Sequence, residues 1–375
     1  MSVKPTPARR RAGPSDRRPT LKDIAAELGV TAATVSNAYN RPDQLSPELR
    51  TRVLETARTL GYAGPDPMAR GLRRGRAGAI GVLYADRLSY AFKDPVAVAL
   101  LAGIATAAEA AGLGLLLVPG SPREERDLDA ARRAAVDGFV VYSMAQEDPL
   151  LSAALERRLP IVTVDMPGRS AAPSVAIDDV ASARTVAEHL VGLGHRRFGV
   201  LSLELTPDVR SGLADSSRQQ AASYPVSRGR LRGYREALEA AGLSWDEVPV
   251  QECAENSVEE GRAAAERLLE RGSGPTALLA MSDALALGAL EAGRRAGLTV
   301  PKDLSVVGFD DIPEAAGATP PLTTVHEPHL EKGLKAGEIL VALLAGEEFP
   351  SVVTLPTRLI VRGSSAPPGA SGPPR

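Results

Sequence analysis

A run of small and polar side chains between residues 31 and 40 could make hydrogen bonds and methyl contacts with the edges of DNA bases. Asn37 is the most informative of them, because an asparagine amide forms its paired contact with adenine more readily than with guanine. Ala32 and Ala33 offer only methyl groups, which either touch a thymine methyl or simply permit close approach. The candidate DNA contacts in this region, together with Thr20 before it, are Thr31, Ala32, Ala33, Thr34, Ser36, Asn37 and Asn40.

A second group of side chains has the chemistry to bind a hydroxylated small molecule. A guanidinium and a carboxylate can each make paired hydrogen bonds to vicinal hydroxyl groups, and aromatic rings can stack on a sugar ring or a nucleobase. For each residue alone the ordinary alternative is a helix cap or core packing, and we expect Asp283 and Asp311 to be caps. The candidate ligand contacts are Asp86, Tyr90, Phe92, Tyr142, Asp165, Arg230, Ser282, Asp310 and His329.

The sequence around the candidate DNA contacts predicts two short helices joined by a tight turn. Thr20 can cap the first helix with Asp23 at its third position, and Gly29 can adopt the left-handed conformation that ends it. Thr31 is then the cap of a second helix, over residues 32–39. This layout is typical of a helix-turn-helix, which places its second helix in the major groove.

A third helix completes the predicted DNA-binding unit. Ser46 and Pro47 read as its cap and first residue, and its apolar face consists of Leu49, Val53, Ala57 and Leu60. The first 78 residues contain 15 Lys and Arg against 7 Asp and Glu, although the whole chain carries a net charge of −2. A basic segment at a helix-turn-helix is the electrostatic pattern expected for phosphate contacts.

The candidate ligand contacts lie in a part of the sequence that predicts an α/β core. From residue 79 onward short apolar runs alternate with helical stretches, a rhythm that predicts parallel sheets covered by helices, in two halves. Ligands of such doubly wound sheets bind beyond the carboxyl ends of the strands, where the polar candidates lie. Residues 123–135 and 231–241 are among the predicted helices. The segment 204–228 has no clear periodicity and is predicted to be a long loop, either a flap or a floppy insertion.

Residues 20–83 resemble the headpiece and hinge of the lactose-repressor (LacI/GalR) family of bacterial transcription regulators. Beyond the helix-turn-helix the similarity includes Leu60-Gly61-Tyr62 and the hinge-like stretch from Pro65 to Leu72. The motifs of residues 188–195, 281–283, 305–311 and 320–324 stand in the order found in the family's effector-binding core. The resemblance extends from Thr20 to about Gly363.

This resemblance implies that residues 65–77 form a hinge helix that folds only in a homodimer on palindromic operator DNA. Leu72 would wedge into the minor groove at a central CG step, with Ala69 at the helix crossing and Arg73 beside it. Arg230 and Asp310 match family positions that bind effector hydroxyls, followed by Asp165, Tyr142 and Ser282. The chain departs from the family at Asn37, usually Arg, at Ser282, often Asn, and at the bulkier Tyr142.

The expected organisation is therefore a helix-turn-helix headpiece with a hinge helix, followed by an α/β core of two doubly wound lobes like those of periplasmic sugar-binding proteins. The expected ranges are a disordered basic tail (1–19), the DNA-binding domain (20–64), the hinge (65–77), the two-lobed core (78–363) and a disordered tail (364–375). Within the core, lobe one covers about 78–177 and 328–345, and lobe two about 178–325 and 346–363.

Other classes of function fit the sequence poorly. The glycine pairs lack the spacing of a dinucleotide or phosphate loop, and four histidines with one cysteine form no recognised metal or disulfide pattern. No cofactor, metal or membrane span is expected, and the predicted location is the cytoplasm, at the chromosome. The expected function is an effector-controlled repressor with a carbohydrate or polyol ligand. A solute-binding sensor without specific operator reading is the alternative, and an enzyme with a DNA-binding appendage is a third reading.

Overall fold

A computed structural model describes residues 19–64, 76–84, 88–120, 129–145, 147–166, 172–272 and 274–369. The chain divides into two compact units, Met1–Ala77 and Gly78–Arg375, and each is described here by itself. In the first unit the helices are α1 (Leu21–Leu28), α2 (Ala32–Asn40) and α3 (Pro47–Thr59), with a 3-10 turn at Pro42–Gln44.

Local capping sets the helix boundaries of the first unit. The Asp23 carboxylate accepts hydrogen bonds from the backbone N–H and the hydroxyl of Thr20, both at 2.7 Å. Gly29 ends α1 with φ 66°, in the left-handed region that glycine adopts without strain. The Thr31 hydroxyl accepts a hydrogen bond from the Thr34 N–H at 3.1 Å and so begins α2. The predicted pair of helices with a tight turn is confirmed.

The three helices share a small apolar core. Ile24 of α1, Val35 of α2 and Val53 of α3 are fully buried against one another. The prediction that Leu60 completes this core is wrong. Leu60 follows the last residue of α3 and is 37% exposed, because the helix ends before its periodic face reaches that position.

The second unit is an α/β domain. Its strands are β1 (Ala79–Tyr84), β2 (Gly114–Pro119), β3 (Gly138–Tyr142), β4 (Ile161–Val164), β5 (Ser174–Ala176), β6 (Phe198–Ser202), β7 (Gly212–Leu213), β8 (Val250–Glu252), β9 (Ala277–Ala280), β10 (Ser305–Val307), β11 (Thr324–His326), β12 (Val352–Thr354) and β13 (Arg358–Ile360). Its helices are α4 (Leu88–Ala91), α5 (Pro95–Ala110), α6 (Asp129–Arg133), α7 (Pro149–Glu156), α8 (Asp179–Gly192), α9 (Ser216–Gln220), α10 (Pro225–Ala240), α11 (Val258–Leu269), α12 (Asp283–Arg295), α13 (Pro313–Gly317) and α14 (His329–Ala345), with a second 3-10 turn at Trp245–Glu247.

These strands form two main sheets. The first has the order β12-β5-β4-β3-β1-β2 and is parallel throughout, and the second has the order β10-β9-β6-β8-β7 with only β7 antiparallel. A short antiparallel pair, β11 with β13, lies outside both. Apolar runs such as Ile80–Tyr84 are buried on both faces, as parallel strands between helices require. The predicted two-lobed, doubly wound core is confirmed.

The chain passes between the sheets more than once. We call the first sheet with its helices the first lobe and the second sheet with its helices the second lobe. After α14, β12 pairs with β5 of the first sheet, so the expected range 346–363 is wrong for β12, which belongs to the first lobe. A three-residue edge strand has no periodicity that could identify its sheet.

Helices on the sheets approach one another closely at glycines. A Cβ atom built on Gly103 of α5 would lie 2.1 Å from the Leu330 carbonyl oxygen, and one on Gly333 of α14 would lie 2.0 Å from the Leu100 oxygen. Equivalent approaches occur at Gly233, between α10 and α8, and at Gly261 and Gly288, between α11 and α12. Backbone-to-backbone contact at these crossings excludes any side chain.

The segment predicted to be a long loop is ordered. Segment 204–228 contains β7, α9 and the start of α10, and its Arg218 pairs at 2.8 Å with Glu252, a buried carboxylate of β8. The helix predicted at 231–241 therefore begins earlier, at Pro225. The prediction of a floppy insertion is wrong. Ion pairing with a residue distant in the sequence holds the segment, and such pairing leaves no periodic pattern in the sequence.

The beginning of the predicted C-terminal tail is also ordered. Ser364 is buried: its hydroxyl donates to the Val306 carbonyl at 2.6 Å and accepts from the Thr323 N–H at 2.8 Å. The Ser365 hydroxyl lies 3.0 Å from Nε2 of His189. The prediction of disorder from residue 364 is wrong here, because these polar side chains complete hydrogen bonds of the second lobe. Among the described helices, none combines the length and apolar character needed to cross a membrane.

Candidate functional site

A cavity lies where the carboxyl ends of strands from both lobes meet. Tyr142 ends β3 and Asp165 follows β4, whereas Ser282 follows β9 and Asp310 lies beyond β10. Doubly wound sheets bind ligands at this edge. We call the cavity the cleft and define it by Tyr142, Asp165, Arg230, Ser282, Asp310, Glu327 and His329, which all line it.

A larger cavity occurs at the opposite end of the second sheet. It has a volume of about 600 Å³, against about 160 Å³ for the cleft, and lies beside Arg197, Trp245 and the amino end of β8. Arg197 is exposed, and the buried ion pairs described below all lie at the cleft. Burial and charge therefore favour the smaller cavity as the functional site.

Arg230 of α10 is the central cation of the cleft. Its Nε donates to Asp179 at 2.9 Å, its Nη2 donates to Glu327 at 3.1 Å, and its Nη1 donates to the carbonyl of Met281. Its Nη1 also lies 3.7 Å from an oxygen of Asp310. These carboxylates outweigh burial and raise the pKa of Arg230. Since a guanidinium has five N–H groups, two remain for a ligand.

The Arg230 guanidinium also packs on an aromatic ring. Its central carbon lies 3.5 Å from the centroid of the Phe309 ring, which comes just before Asp310. A cation over an aromatic face is stabilised further when both groups are desolvated. The Phe309 ring and the carboxylates that bond Arg230 together fix the orientation of the guanidinium plane.

Lys332 of α14 is a second buried cation, and the sequence analysis missed it. Its Nζ donates to both oxygens of Asp165, at 2.7 and 2.8 Å, and to Oε1 of Glu327. Burial opposes the charge of Lys332, but the two carboxylates outweigh it and raise the pKa of Lys332. The spacing of Lys332 to Ala336 and Ile339 on the buried face of α14 is a periodicity that could have identified it.

Glu327 joins the two cations. One of its oxygens accepts from Lys332, whose helix α14 packs on α5 of the first lobe, and the other accepts from Arg230 of the second lobe. Burial alone would raise its pKa, but Lys332, His329 and Arg230 hold the pKa of Glu327 at about 2. Glu327 was also missed, because it directly follows β11, a three-residue strand outside the two main sheets that has no sequence pattern to identify it. A continuous ion-pair network thus spans the cleft.

Two aspartates of the cleft have unusual backbone conformations. Asp165 has φ 59° and Asp310 has φ 117°, both in the left-handed region that non-glycine residues rarely adopt. Such residues cluster at functional sites, where the surrounding structure maintains the strain. Burial raises the pKa of Asp310 well above its usual range, although Arg230 opposes the shift.

His329, at the start of α14, has an unsatisfied ring nitrogen. Nδ1 lies 3.6 Å from Oε1 of Glu327, and Nε2 is buried with no hydrogen-bond partner within the described part of the chain. Burial lowers the pKa of His329 to about 4, so the imidazole is neutral at neutral pH. His329 lines the cleft, and a neutral ring nitrogen can bond a ligand hydroxyl.

The other predicted ligand contacts have different positions. The Ser282 hydroxyl caps α12 by accepting from the Leu285 N–H at 3.2 Å and also bonds Asn256, so its hydrogen-bonding capacity is largely used. Tyr142 stacks on Tyr84 with ring centroids 5.8 Å apart and lines the cleft. Burial, together with the charge of Asp165, raises the pKa of Tyr142 well above its usual range.

Two of the predicted aromatic contacts are not brought to the cleft. The Tyr90 hydroxyl donates to the Asn256 carbonyl at 2.8 Å, and Phe92 is 65% exposed; neither lines the cavity. Asp86 lies outside the described residues.

Asp283 and Asp311 have structural roles, but neither is the helix cap that we predicted. Asp283 accepts from Thr324 at 2.6 Å and from the Ile312 N–H at 2.9 Å, whereas Ser282 caps α12. Asp311 pairs with Arg362 at 2.6 Å and with His326 at 2.9 Å.

Asp310, Glu327 and His329 could in principle share a metal ion, because one ligand atom from each lies within 4.8 Å of the others. Both oxygens of Glu327 already accept hydrogen bonds from Lys332 and Arg230. A metal ion would have to displace or lie beside these two cations, which electrostatics disfavours. The trio is accounted for as part of the ion-pair network.

The acid response of the second unit offers a test of the His329 environment. Because the folded-state pKa of about 4 is below the unfolded value of 6.5, the unfolded chain binds the proton more tightly, and the contribution of His329 to the free energy of unfolding falls between pH 6.5 and 4. That contribution should decrease by on the order of 3 kcal/mol by pH 4. Asp179 and Asp283, whose pKa values burial raises to about 7, contribute with the opposite sign and are common to both proteins, so replacement by asparagine (His329→Asn) should remove only the His329 part of the pH dependence. Urea unfolding followed through the fluorescence of Trp245, the single tryptophan, measures the difference between the two proteins. Identical slopes in the two proteins would contradict the assigned burial effect.

The polar side chains of the predicted DNA-reading helix mostly bond one another. The hydroxyls of Thr31 and Thr34 are 2.9 Å apart, and the Asn40 amide donates to the hydroxyl of Ser36 at 3.1 Å. The Asn37 amide, in contrast, donates to Gln44 of the 3-10 turn at 3.3 Å.

Ala32 is half-buried and Ala33 is exposed on the same helix, and Thr20 is held by its bonds to Asp23. The predicted hinge contacts Ala69, Leu72 and Arg73 lie outside the described residues.

A helix-turn-helix unit followed by a two-lobed α/β domain with a charged cleft defines the class of DNA-binding regulators that carry a ligand-binding core. Residues 20–64 match the family model for bacterial regulatory proteins of the lacI family, and residues 187–365 match that for a periplasmic binding protein-like domain. The chain is 46% identical over 357 residues to the HTH-type transcriptional regulator Rv3575c of Mycobacterium tuberculosis, covering 94% of this chain and 98% of the relative. It therefore belongs to the LacI family of transcriptional regulators.

Solved structures agree with this assignment. A complex of the transcriptional regulator CelR with cellobiose superposes with a TM-score of 0.67 at 30% identity, covering 93% of this chain and 100% of that chain. The lac repressor dimer bound to operator and the anti-inducer ONPF superposes with a TM-score of 0.75 at 25% identity and the same coverage. The expectation of a DNA-binding regulator, and not an enzyme, agrees with these relatives.

Proposed function

We propose that this LacI-family regulator is a homodimeric repressor that binds a palindromic operator at the chromosome in the cytoplasm, and that an uncharged sugar or polyol in the cleft controls its operator affinity. The observation that carries the ligand proposal is the set of hydrogen-bonding groups that faces the cavity. Arg230 retains two N–H groups, Asp165 and Asp310 offer carboxylate oxygens, and His329 has a buried, unpaired Nε2. Vicinal hydroxyl groups, which both donate and accept, satisfy such a set.

The charge of the cleft argues against an anionic effector. Among the described residues that line it, Arg230 is the one permanent cation, and six acids face it. Buried Lys332 pairs with two of these acids, Asp165 and Glu327, which still leaves more acids than cations. A phosphorylated sugar or a sugar acid would add negative charge to this excess and would bind at an electrostatic cost. The lining acids are Asp94, Asp165, Glu204, Glu255, Asp310 and Glu327. The carbohydrate in the CelR structure, cellobiose, is likewise uncharged.

The ion-pair network suggests how occupancy of the cleft could reach the DNA-binding unit. Glu327 bonds Arg230 of the second lobe and Lys332, whose helix packs in the first lobe. A ligand that bonds Arg230 and Asp165 would compete for the same charges and so alter the preferred separation of the lobes. The hinge segment 65–77 would then carry the change to the operator, by differential binding of the ligand to two states.

Replacing Leu72 by alanine tests the operator part of the proposal. A leucine wedge unstacks a base step, and its loss removes apolar contact that bent DNA permits. In a genome-wide selection of DNA fragments, the wild-type protein should recover a palindrome with a central CG step. Leu72→Ala should weaken binding to that palindrome at least about tenfold, a loss of roughly 1.4 kcal/mol. Salt-sensitive binding without sequence preference would contradict operator reading and favour the solute-binding sensor.

The effector part is tested separately with matched pairs of ligands. Thermal unfolding should shift upward with a neutral sugar or polyol and should not shift with the phosphate ester of the same compound, because only a ligand that binds the folded cleft stabilises it. The active ligand should then change operator affinity. Stabilisation by phosphorylated compounds alone would contradict the assigned ligand class, and turnover of a ligand would favour the enzyme reading.

A further inference from the structure

Hydrogen bonding on α2 leaves few side-chain groups for DNA bases. The Thr34 hydroxyl bonds that of Thr31, and the Ser36 hydroxyl accepts from Asn40, so each of these groups already has a hydrogen bond within the protein. Ala32 and Ala33 have no polar atoms beyond the backbone. Of the predicted contacts within α2, Asn37 is the amide near the middle of the helix, and its donor and acceptor are two separate atoms, as a paired contact with a base requires.

The Asn37 amide is held from outside its helix. Its Nδ2 donates to Oε1 of Gln44, seven positions later in the 3-10 turn, at 3.3 Å. The turn is fixed in place: the Gln44 N–H donates to the Arg41 carbonyl at 3.0 Å, and Leu45 packs against the core of the first unit. Gln44 therefore starts from a defined backbone position.

In this contact the Asn37 amide turns its nitrogen toward Gln44. One N–H of Nδ2 is used by Gln44, which leaves the second N–H and the lone pairs of Oδ1. That donor and acceptor match N7 and the N6 amino group of adenine. Rotation about the last torsion of asparagine by half a turn exchanges the two atoms, and the torsion itself has only a broad, roughly two-fold preference.

We propose that Gln44 is a specificity-determining positioning residue, which holds the Asn37 amide in the orientation that reads adenine. The proposal rests on the proposed function, because it requires that α2 read operator bases. Without the Gln44 acceptor, the amide presents either edge, and the preference for adenine over other bases at one position of each half-site decreases. Overall affinity, set by phosphate contacts, changes little.

The test is selection of bound sequences from a randomised operator library by the purified full-length protein. Asn37→Ala first identifies the operator position that this residue reads. Gln44→Ala should lower the preference for adenine at that same position by about twofold, since it leaves Asn37 in place and only lets the amide adopt two orientations instead of one, and should leave other positions unchanged. Gln44→Glu, which keeps an acceptor oxygen, should restore the preference while weakening binding uniformly through charge repulsion.

Asp43→Ala is the matched control, because it removes an exposed side chain from the same 3-10 turn and leaves the bond between Asn37 and Gln44 in place. It should change overall affinity only.

An unchanged base preference in Gln44→Ala would overturn the proposal, as would a change at a different position, which would mean that Gln44 reads a base directly. If Asn37→Ala leaves every position unchanged, base reading by Asn37 fails and the proposal fails with it. A wild-type protein without any sequence preference would instead contradict the proposed operator binding.

Discussion

Replacement of Arg230 by methionine should abolish the effect of the cleft ligand on operator binding and lower the free energy of unfolding of the second unit by about 3–5 kcal/mol. The substitution leaves Asp179, Asp310 and Glu327 buried around an apolar side chain. Uncompensated buried carboxylates are costly, so they will take up protons or admit water. Operator binding with and without ligand measures the first effect and urea unfolding measures the second, while calorimetry shows whether the variant still binds the ligand.

Two further variants show whether the charge of Arg230, its planar shape or its burial accounts for these effects. Arg230→Lys keeps the cation but cannot bond several carboxylates with a planar fork, so it should recover part of the stability and little of the ligand affinity. Arg232→Met, on the same helix, removes a 69% exposed arginine that pairs at 2.6 Å with Glu236 and should cost less than about 1 kcal/mol. Equal losses for Arg230→Met and Arg232→Met would refute a special role of the buried network.

Insertion of one methyl group at Gly333 should destabilise the second unit by about 3 kcal/mol or more. The new Cβ in Gly333→Ala would lie 2.0 Å from the Leu100 carbonyl oxygen, a backbone atom that no side-chain rotation can move away. Helices α5 and α14 must then separate, which opens voids along a crossing that is otherwise closely packed. Chemical unfolding followed by Trp245 fluorescence reports the change.

Gly192→Ala provides the matched control for a helical glycine. It lies at the end of α8, and a Cβ there would have no neighbour within 4 Å. Alanine restricts the unfolded chain more than glycine does, so this variant should be neutral or more stable by up to about 1 kcal/mol. If both glycine variants retain wild-type stability, the α5–α14 crossing is looser than the geometry indicates.

The DNA-binding unit could be predicted in detail because its determinants are local. Thr20 with Asp23, Gly29, and Thr31 act over four residues or fewer, and each has a distinct residue preference. Leu60 is the exception, since it continues the apolar spacing beyond the residue at which the helix ends. Local preference identifies helix ends well, but tertiary packing decides whether the last apolar residue is covered.

The cleft could be predicted only in part. The rule that ligands bind beyond the carboxyl ends of parallel strands located Asp165 and Asp310 without any coordinates. It could not locate Glu327, which lies in a link, or the partners of Ser364, whose hydroxyl bonds Val306 58 residues away. Buried ion pairs such as that of Lys332 with Asp165 join residues 167 positions apart. Such pairings depend on how the lobes assemble and have no local pattern.

The glycine crossings limit where this protein can bend. Backbone contact at Gly103 and Gly333 in the first lobe, and at Gly233, Gly261 and Gly288 in the second, leaves no layer of side chains that could slide within a lobe. Slow motion should therefore concentrate in the segments that pass between the sheets. Amide hydrogens at the helix crossings should exchange with solvent only through global unfolding, whereas those near residues 327 and 355 should exchange through smaller openings.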